Sequence, residues 1–185
     1  RHAPTPFLAV LNDDAIPEPA WLASLLDALD RHPRAGSAAS QVLLHEDPSL
    51  LDSAGMSIAL DGTSKQRGHR QPASLFSSEQ ETLLPSGSAA LYRSRMLADT
   101  SVFDSSFFLY CEDTDLGLRA RWAGWTSLYV PSARVLHRYS LSAGRASRLK
   151  VFYVERNRLL TLVKNYPLPD LLLALLATPL RYLHH

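Results

Sequence analysis

The run FLAVL at 7–11, broken off by Asn12-Asp13-Asp14, does most to limit what this chain can fold into. Five apolar residues ended by a polar triplet suit a buried parallel strand with the triplet at its carboxyl end. IPEPAWLASLLDALDRHP follows. It places Trp21, Leu22, Leu25, Leu26 and Leu29 on one helical face, with prolines in the first turn and Pro33 and Gly36 closing it. SAASQVLL at 37–44 then reads as a second strand. Strand, helix, strand in that order predicts an α/β sheet, and such sheets collect ligands outside the carboxyl ends of their strands. A carboxylate in the triplet suits a hard divalent cation whose remaining positions take phosphate oxygens and water. Asp14 suits equally well a cap on the helix that follows.

Between residues 45 and 83 the periodicity fades into turn-formers, serine and charge. Arg67, His69 and Arg70 sit close together there, which predicts a long surface excursion with solvated basic residues. Order returns with a short strand around 89–92 and a helix starting near Ser94. In TDLGLRARWAG, Leu116, Ala120 and Ala123 have helical spacing and Gly124 suits the C′ position. TSLYV predicts a strand cut at Pro131, and ARVLH a short strand with His137 at its end. RLKVFYVERNRLLTLVKNYP predicts a helix with Val151, Val154, Leu159, Leu162 and Val163 inward.

Glu112, Asp113 and Asp115 crowd four positions just after the apolar run FFLYC. Asp115 suits a helix cap, but three acids exceed what one helix end uses. Carboxylates this close raise the pKa of at least one of them, which suits a proton acceptor. His137 has no HxxH or HxH partner, so the usual zinc spacing is excluded. Paired in space with Asp14, it would suit a Mg2+ or Mn2+ ion held largely by a diphosphate.

The length of 185 residues suits one domain with a real core. With 19 Lys+Arg against 18 Asp+Glu, no strong global field supports nucleic-acid binding. A single cysteine, Cys111, excludes an internal disulfide or multi-Cys zinc site; it reads as a small buried hydrophobe and fits a reducing cytosolic setting. The apolar end, Leu168–Leu183, is interrupted by Pro169, Asp170 and Pro179 and falls short of the ~20 residues that span a bilayer. It reads either as a core or interface helix or as a segment lying on a membrane surface.

Four blocks, in this order and at these spacings, resemble the family 2 glycosyltransferases: LNDDAIPEPAWL, PSGSAALYRSRML, FDSSFFLYCEDTDLGLRARWAGWTSLYVPSARVLH and ERNRLLTLVKNYP. The nearest branch is that of the bacterial rhamnosyltransferase-like enzymes of surface polysaccharide assembly, and the likeness runs from about residue 7 to residue 167. It implies a GT-A fold, a Rossmann-like mixed α/β sheet flanked by helices. It further implies inverting, metal-dependent transfer from a nucleotide-diphosphate sugar to a glycan or lipid-linked acceptor, in the cytoplasm or at the inner face of the cell membrane. Asp14, in this chain's version of an Asn-x-Asp motif, would bind the Mg2+ or Mn2+ that bridges the diphosphate. Asn12 and Asp13 would lie beside the donor and His137 near diphosphate and metal. Asp113 falls on the family's catalytic base, with Glu112 supporting it. Gly87 and Ser88 fall on the acceptor side, where glycine lets substrate approach the backbone. Arg156 and Asn157 match an RN pair suited to phosphate contact or interdomain packing.

The resemblance divides the chain into a metal and acceptor-side portion, 1–166, and an apolar helical tail, 167–185. In the family, ~80–100 residues carrying the nucleobase- and ribose-binding strands precede the metal motif, a length judged from ordinary domain sizes. This chain starts one strand before that motif. The fold is therefore expected to be incomplete at its N-terminus, with poor or no nucleotide-sugar binding by this polypeptide alone. Two other readings use the same residues. One is an inactive module that binds a glycan, a lipid-linked acceptor or a partner protein. The other is a glycoside hydrolase, disfavoured because its carboxylates must face each other ~5–9.5 Å apart, whereas Glu112 and Asp113 are adjacent.

Overall fold

The opening does form strand, helix and strand, but the two strands are not partners. A computed structural model describes residues 5–138 and 148–183. In chain order it contains β1 (Phe7–Leu11), β2 (Ala15–Pro17), α1 (Trp21–Arg31), β3 (Ala35–Leu44), β4 (Leu51–Ser53), β5 (Met56–Ile58), β6 (Ser64–Gln66), β7 (Gln80–Thr82), β8 (Ala89–Arg93), α2 (Ser94–Thr100), α3 (Glu112–Trp122), β9 (Thr126–His137), α4 (Arg148–Asn165) and α5 (Leu168–Leu183). The main sheet runs β1-β8-β3-β9-β2, with β4 on β3 and β7 on β9. Only the β3–β9 pair is parallel, so the sheet is mixed. The expectation of a buried parallel β1 is corrected. It lies antiparallel to β8 at one end of the described sheet, with half-exposed side chains, because the fully buried Ala89, Ala90, Leu91 and Tyr92 take the central place between β1 and β3.

Helices cover both faces. Trp21, Leu25, Ala28 and Leu29 of α1 pack on Ala38, Val42, Leu91 and Val135, and the Trp21 indole N–H donates to Ser40 Oγ at 2.7 Å. Pro17 belongs to β2, and α1 starts at Trp21 with no side-chain cap; Asp14 is not its cap. On the other face, Met96 and Leu97 of α2 and Leu116 and Ala120 of α3 pack on Ala90 and Tyr92. α3 comes very close to the chain before β8: a Cβ at Gly117 would lie 2.4 Å from Leu84 Cβ, so only glycine fits. Ala123 is exposed, not inward. Gly124 ends the helix at φ 85° as the C′ residue, as its sequence position implied.

Three further expectations change. The 45–83 segment is not a surface excursion: Leu51, Asp52, Ser53 and Ala54 are buried, and β5 pairs with β6 in a small second sheet. Arg67 is not solvated but lies over the Phe76 and Tyr129 rings, 5.5 and 5.2 Å from their centroids, and burial lowers its pKa. β9 is one strand through Pro131, because the β3–β9 register shifts there and the missing proline N–H breaks no ladder bond. α4 turns a polar face inward. Asn157, Arg158, Thr161 and Asn165 are buried beside Leu162, while Val151, Leu159 and Val163 are exposed at 59%, 42% and 68%. What α4 covers is polar backbone and a carboxylate, so hydrogen-bond donors displace valines from the contact. In α5, Ala174 is buried but Leu168, Leu172, Leu173, Leu175 and Leu176 are exposed. No described helix is long and apolar enough to cross a membrane; the last two residues of the tail lie outside the described residues.

Candidate active site

A cleft of about 480 Å³ opens at the ends of β1, β8 and β9. Asn12, Asp13, Asp14, Gly87, Ser88, Glu112, Asp113 and His137 all line it, though they are scattered over 126 positions of sequence. β-pairing builds its first wall. Ala15 pairs with His137, which sets Asp14 beside the imidazole; Leu44 also pairs with His137 and Leu43 with Leu51, which brings Asp52 to its other side. His137 Nε2 lies 3.0 Å from Asp14 Oδ1 and Nδ1 lies 2.7 Å from Asp52 Oδ2. Burial alone would lower the His137 pKa, but the Asp52 and Asp14 carboxylates outweigh it and raise the value. Asp52 was missed in the sequence; its one signal was an acid set inside the apolar stretch LLDSAGM.

These residues fit a hard cation. A neutral His137 whose Nδ1–H donates to buried Asp52 would present its Nε2 lone pair to a cation, the usual arrangement of a ligating histidine with a carboxylate behind it. A separation of about 3 Å between Nε2 and Asp14 Oδ1 also suits neighbouring ligands of an ion with ~2.0–2.1 Å bonds. Among the described residues no group of three or more His, Cys, Asp or Glu is placed to hold a metal ion.

The second wall is the N-terminal turn of α3. Asp113 Oδ2 accepts from the Gly87 N–H at 2.9 Å, and Oδ1 accepts from the Thr114 N–H at 2.7 Å. Gly87 therefore meets Asp113 itself: a Cβ on it would lie 3.4 Å from Asp113 Oδ2. The Ser88 carbonyl accepts from the Asn12 N–H at 2.9 Å, tying the two walls together. Burial raises the Asp113 pKa against the pull of its N–H donors. Glu112 Oε2 is buried with no hydrogen-bond partner among the described residues. Burial, then the Asp113 charge, push Glu112 up to about 7. Asp115 is no cap, which corrects the reading of it as one. It is fully buried, paired to Arg119 Nη2 at 2.8 Å, and accepts from Asn165 Nδ2 at 2.9 Å, joining α3 to α4. Cys111 is only partly buried, lines the cleft, and has its thiol pushed up to about 12 by burial.

Arg156 does not line the cleft. Its Nη1 donates to Ser106 O at 3.0 Å and to Asn157 Oδ1 at 2.6 Å. Lys150 and Arg158, which sequence reasoning did not single out, do line it.

Residues 1–159 match the family model described as Glycosyltransferase like family 2. The chain belongs to glycosyltransferase family 2. Over 151 residues, this family 2 chain is 37% identical to the N-acetylglucosaminyl-diphospho-decaprenol L-rhamnosyltransferase of two strains of Mycobacterium tuberculosis. The match covers 75% of the chain and 49% of each relative, so the chain spans about half the length of the curated relatives it matches. Two solved structures share its GT-A fold. GalNAc-T7, crystallised with UDP, GalNAc and Mn2+, superposes with a TM-score of 0.60 at 14% identity, over 82% of this chain and 31% of that one. The mannosyltransferase PcManGT from Pyrobaculum calidifontis, in complex with GDP-Man and Mn2+, gives 0.50 at 14% identity, over 96% of this chain and 51% of that one.

Proposed function

We propose that this family 2 chain carries the metal and acceptor side of an inverting sugar transferase. The donor is a nucleotide-diphosphate sugar, and the acceptor a glycan or lipid-linked sugar in cell-surface polysaccharide assembly. The observation that supports this most is one cleft lined both by the Asp14–His137 pair and by the Glu112–Asp113 pair, whose pKa values are raised.

Asp113 is the general base. The Gly87 and Thr114 N–H groups hold its carboxylate while leaving further lone pairs for an acceptor hydroxyl. As the acceptor oxygen attacks the anomeric carbon, its proton passes to Asp113. The bond from that carbon to the diphosphate breaks, and the nucleoside diphosphate leaves with the electron pair. One displacement of this kind inverts the anomeric centre. Glu112 raises the basicity of its neighbour and accepts from acceptor hydroxyls. Asp14 and His137 would hold Mg2+ or Mn2+, with Asn12 and Asp13 beside the donor; when bound, the cation neutralises charge on the leaving diphosphate.

The relative's printed acceptor, a sugar diphosphate on a polyprenol, supports the lipid-linked class. The exposed leucines of α5 suit contact with the membrane surface that would carry such an acceptor. The test is transfer by the full-length protein. Asp113→Asn should lower kcat by ~10²–10⁴-fold while nucleotide binding persists, and sugar should leave the donor only when acceptor is supplied. Wild-type rates in Asp113→Asn would reject the assignment.

A further inference from the structure

The chain that delivers Glu112 and Asp113 to the cleft is held in an unusual backbone conformation. Phe108, Tyr110 and Cys111 have φ of 58°, 67° and 66°, three non-glycine residues in the left-handed region within four positions. L-residues resist that region, and such a run persists only where the surroundings impose it. In this loop Phe107 O accepts from the Leu109 N–H and Cys111 O from the Asp115 N–H, and buried carbonyls between them need donors from elsewhere. One side chain reaches three of the loop carbonyls, its two N–H bonds shared among them. Asn157 of α4 is completely buried, and its Nδ2 lies 2.7 Å from Phe107 O, 2.7 Å from Leu109 O and 2.8 Å from Tyr110 O. Arg156 fixes which end of the amide faces the loop, because its guanidinium can only donate and takes Asn157 Oδ1.

We propose that Asn157 is a positioning residue for Asp113: its amide clamps the 107–111 loop so that the first turn of α3 meets Gly87. Asp113's chemical role rests on the transferase reading, whereas the clamp does not. Arg156 serves it from outside the cleft.

Two reporters test the clamp without any substrate. The single cysteine, Cys111, ends the loop, and the Gly87 N–H reads the bond to Asp113. Asn157→Asp keeps the size of the side chain but turns oxygen toward the loop carbonyl oxygens. With the loop released, Cys111 should return toward an ordinary thiol pKa and react with a disulfide reagent at pH 8 about tenfold faster or more. The Gly87 amide should lose hydrogen-exchange protection in the same variant. Asn157→Ala should act in the same direction, and Arg156→Ala, at an exposed residue, should give a smaller rise. Leu162→Ala, on the buried face of the same helix, controls for general loosening. At denaturant concentrations that equalise global stability, it should leave Cys111 slow. Labelling of Asn157→Asp within twofold of wild type would overturn the clamp, as would equally fast labelling of Leu162→Ala at matched stability. If Asn157→Asp does not fold, Asn157→Ala and Arg156→Ala decide by the same criteria. In the full-length enzyme, Asn157→Asp should lower kcat by ~10²-fold with donor KM nearly unchanged, the cost of a misplaced catalytic group. A loss confined to KM would overturn the positioning role. A wild-type protein that transfers no sugar would reject the transferase reading, and labelling would still decide the clamp.

Discussion

Glu112 and Asp113 show how neighbours in sequence acquire different chemistry. Asp113 is held by N–H donors on both oxygens, while Glu112 keeps a buried Oε2 without a partner among the described residues. The pair cannot hold two charges cheaply so close together. Transfer should therefore rise with pH through about 7, where Glu112 titrates. Glu112→Gln should flatten that rise, because it removes the group that titrates there. Stability should change the other way. Glu112 binds its proton more tightly folded than unfolded, so its contribution is complete below about 4.5 and lost as pH climbs through about 7. Urea midpoints of wild type and Glu112→Gln between those limits check this: the mutant should lose less stability as pH rises. That acids cluster at the start of α3 was legible in the sequence; that Asp115 is a strut between helices was not, because its partner Asn165 lies 50 residues away.

At the scale of elements, α3 and α4 define the site together. α3 fits only because Gly117 lets it touch Leu84, so Gly117→Ala should overpack the contact and cost ~1–3 kcal/mol of stability. Asn165→Ala should cost ~1–3 kcal/mol, since Asp115 loses a buried donor. Val163→Ser should stay within ~0.5 kcal/mol, because Val163 faces solvent. Denaturant melts of the three variants measure all of this, and a large loss in Val163→Ser with none in Asn165→Ala would reverse the assignment of the α4 faces. Helical periodicity located α4 and placed Leu162 inward correctly, but it put Val151, Leu159 and Val163 there too. Periodicity counts apolar residues, and it cannot know that the surface to be covered offers carbonyls and a carboxylate.

For the molecule as a whole, the relevant fact is that the chain spans about half of its curated relatives. Its cleft holds the residues read here as metal ligands and base, and donor recognition needs contacts to base and ribose as well. Calorimetry with Mn2+ on a protein that contains these residues should show nucleotide-sugar binding weakened in Asp14→Ala; unchanged affinity would reject Asp14 as a metal ligand.

The sequence by itself determined the α/β class, the family and eight of the cleft residues. Motifs such as NDD and CED survive as local strings, and each lies at the end of an element that local propensity can locate. Tertiary structure alone decided the pairings. It set β8 between β1 and β3, brought Asp52 and Asp14 to opposite sides of His137, and moved Arg156 out of the cleft to orient Asn157. The reason is physical: strand register and buried hydrogen bonds join residues as many as 123 positions apart, and no periodicity within one segment records its partner.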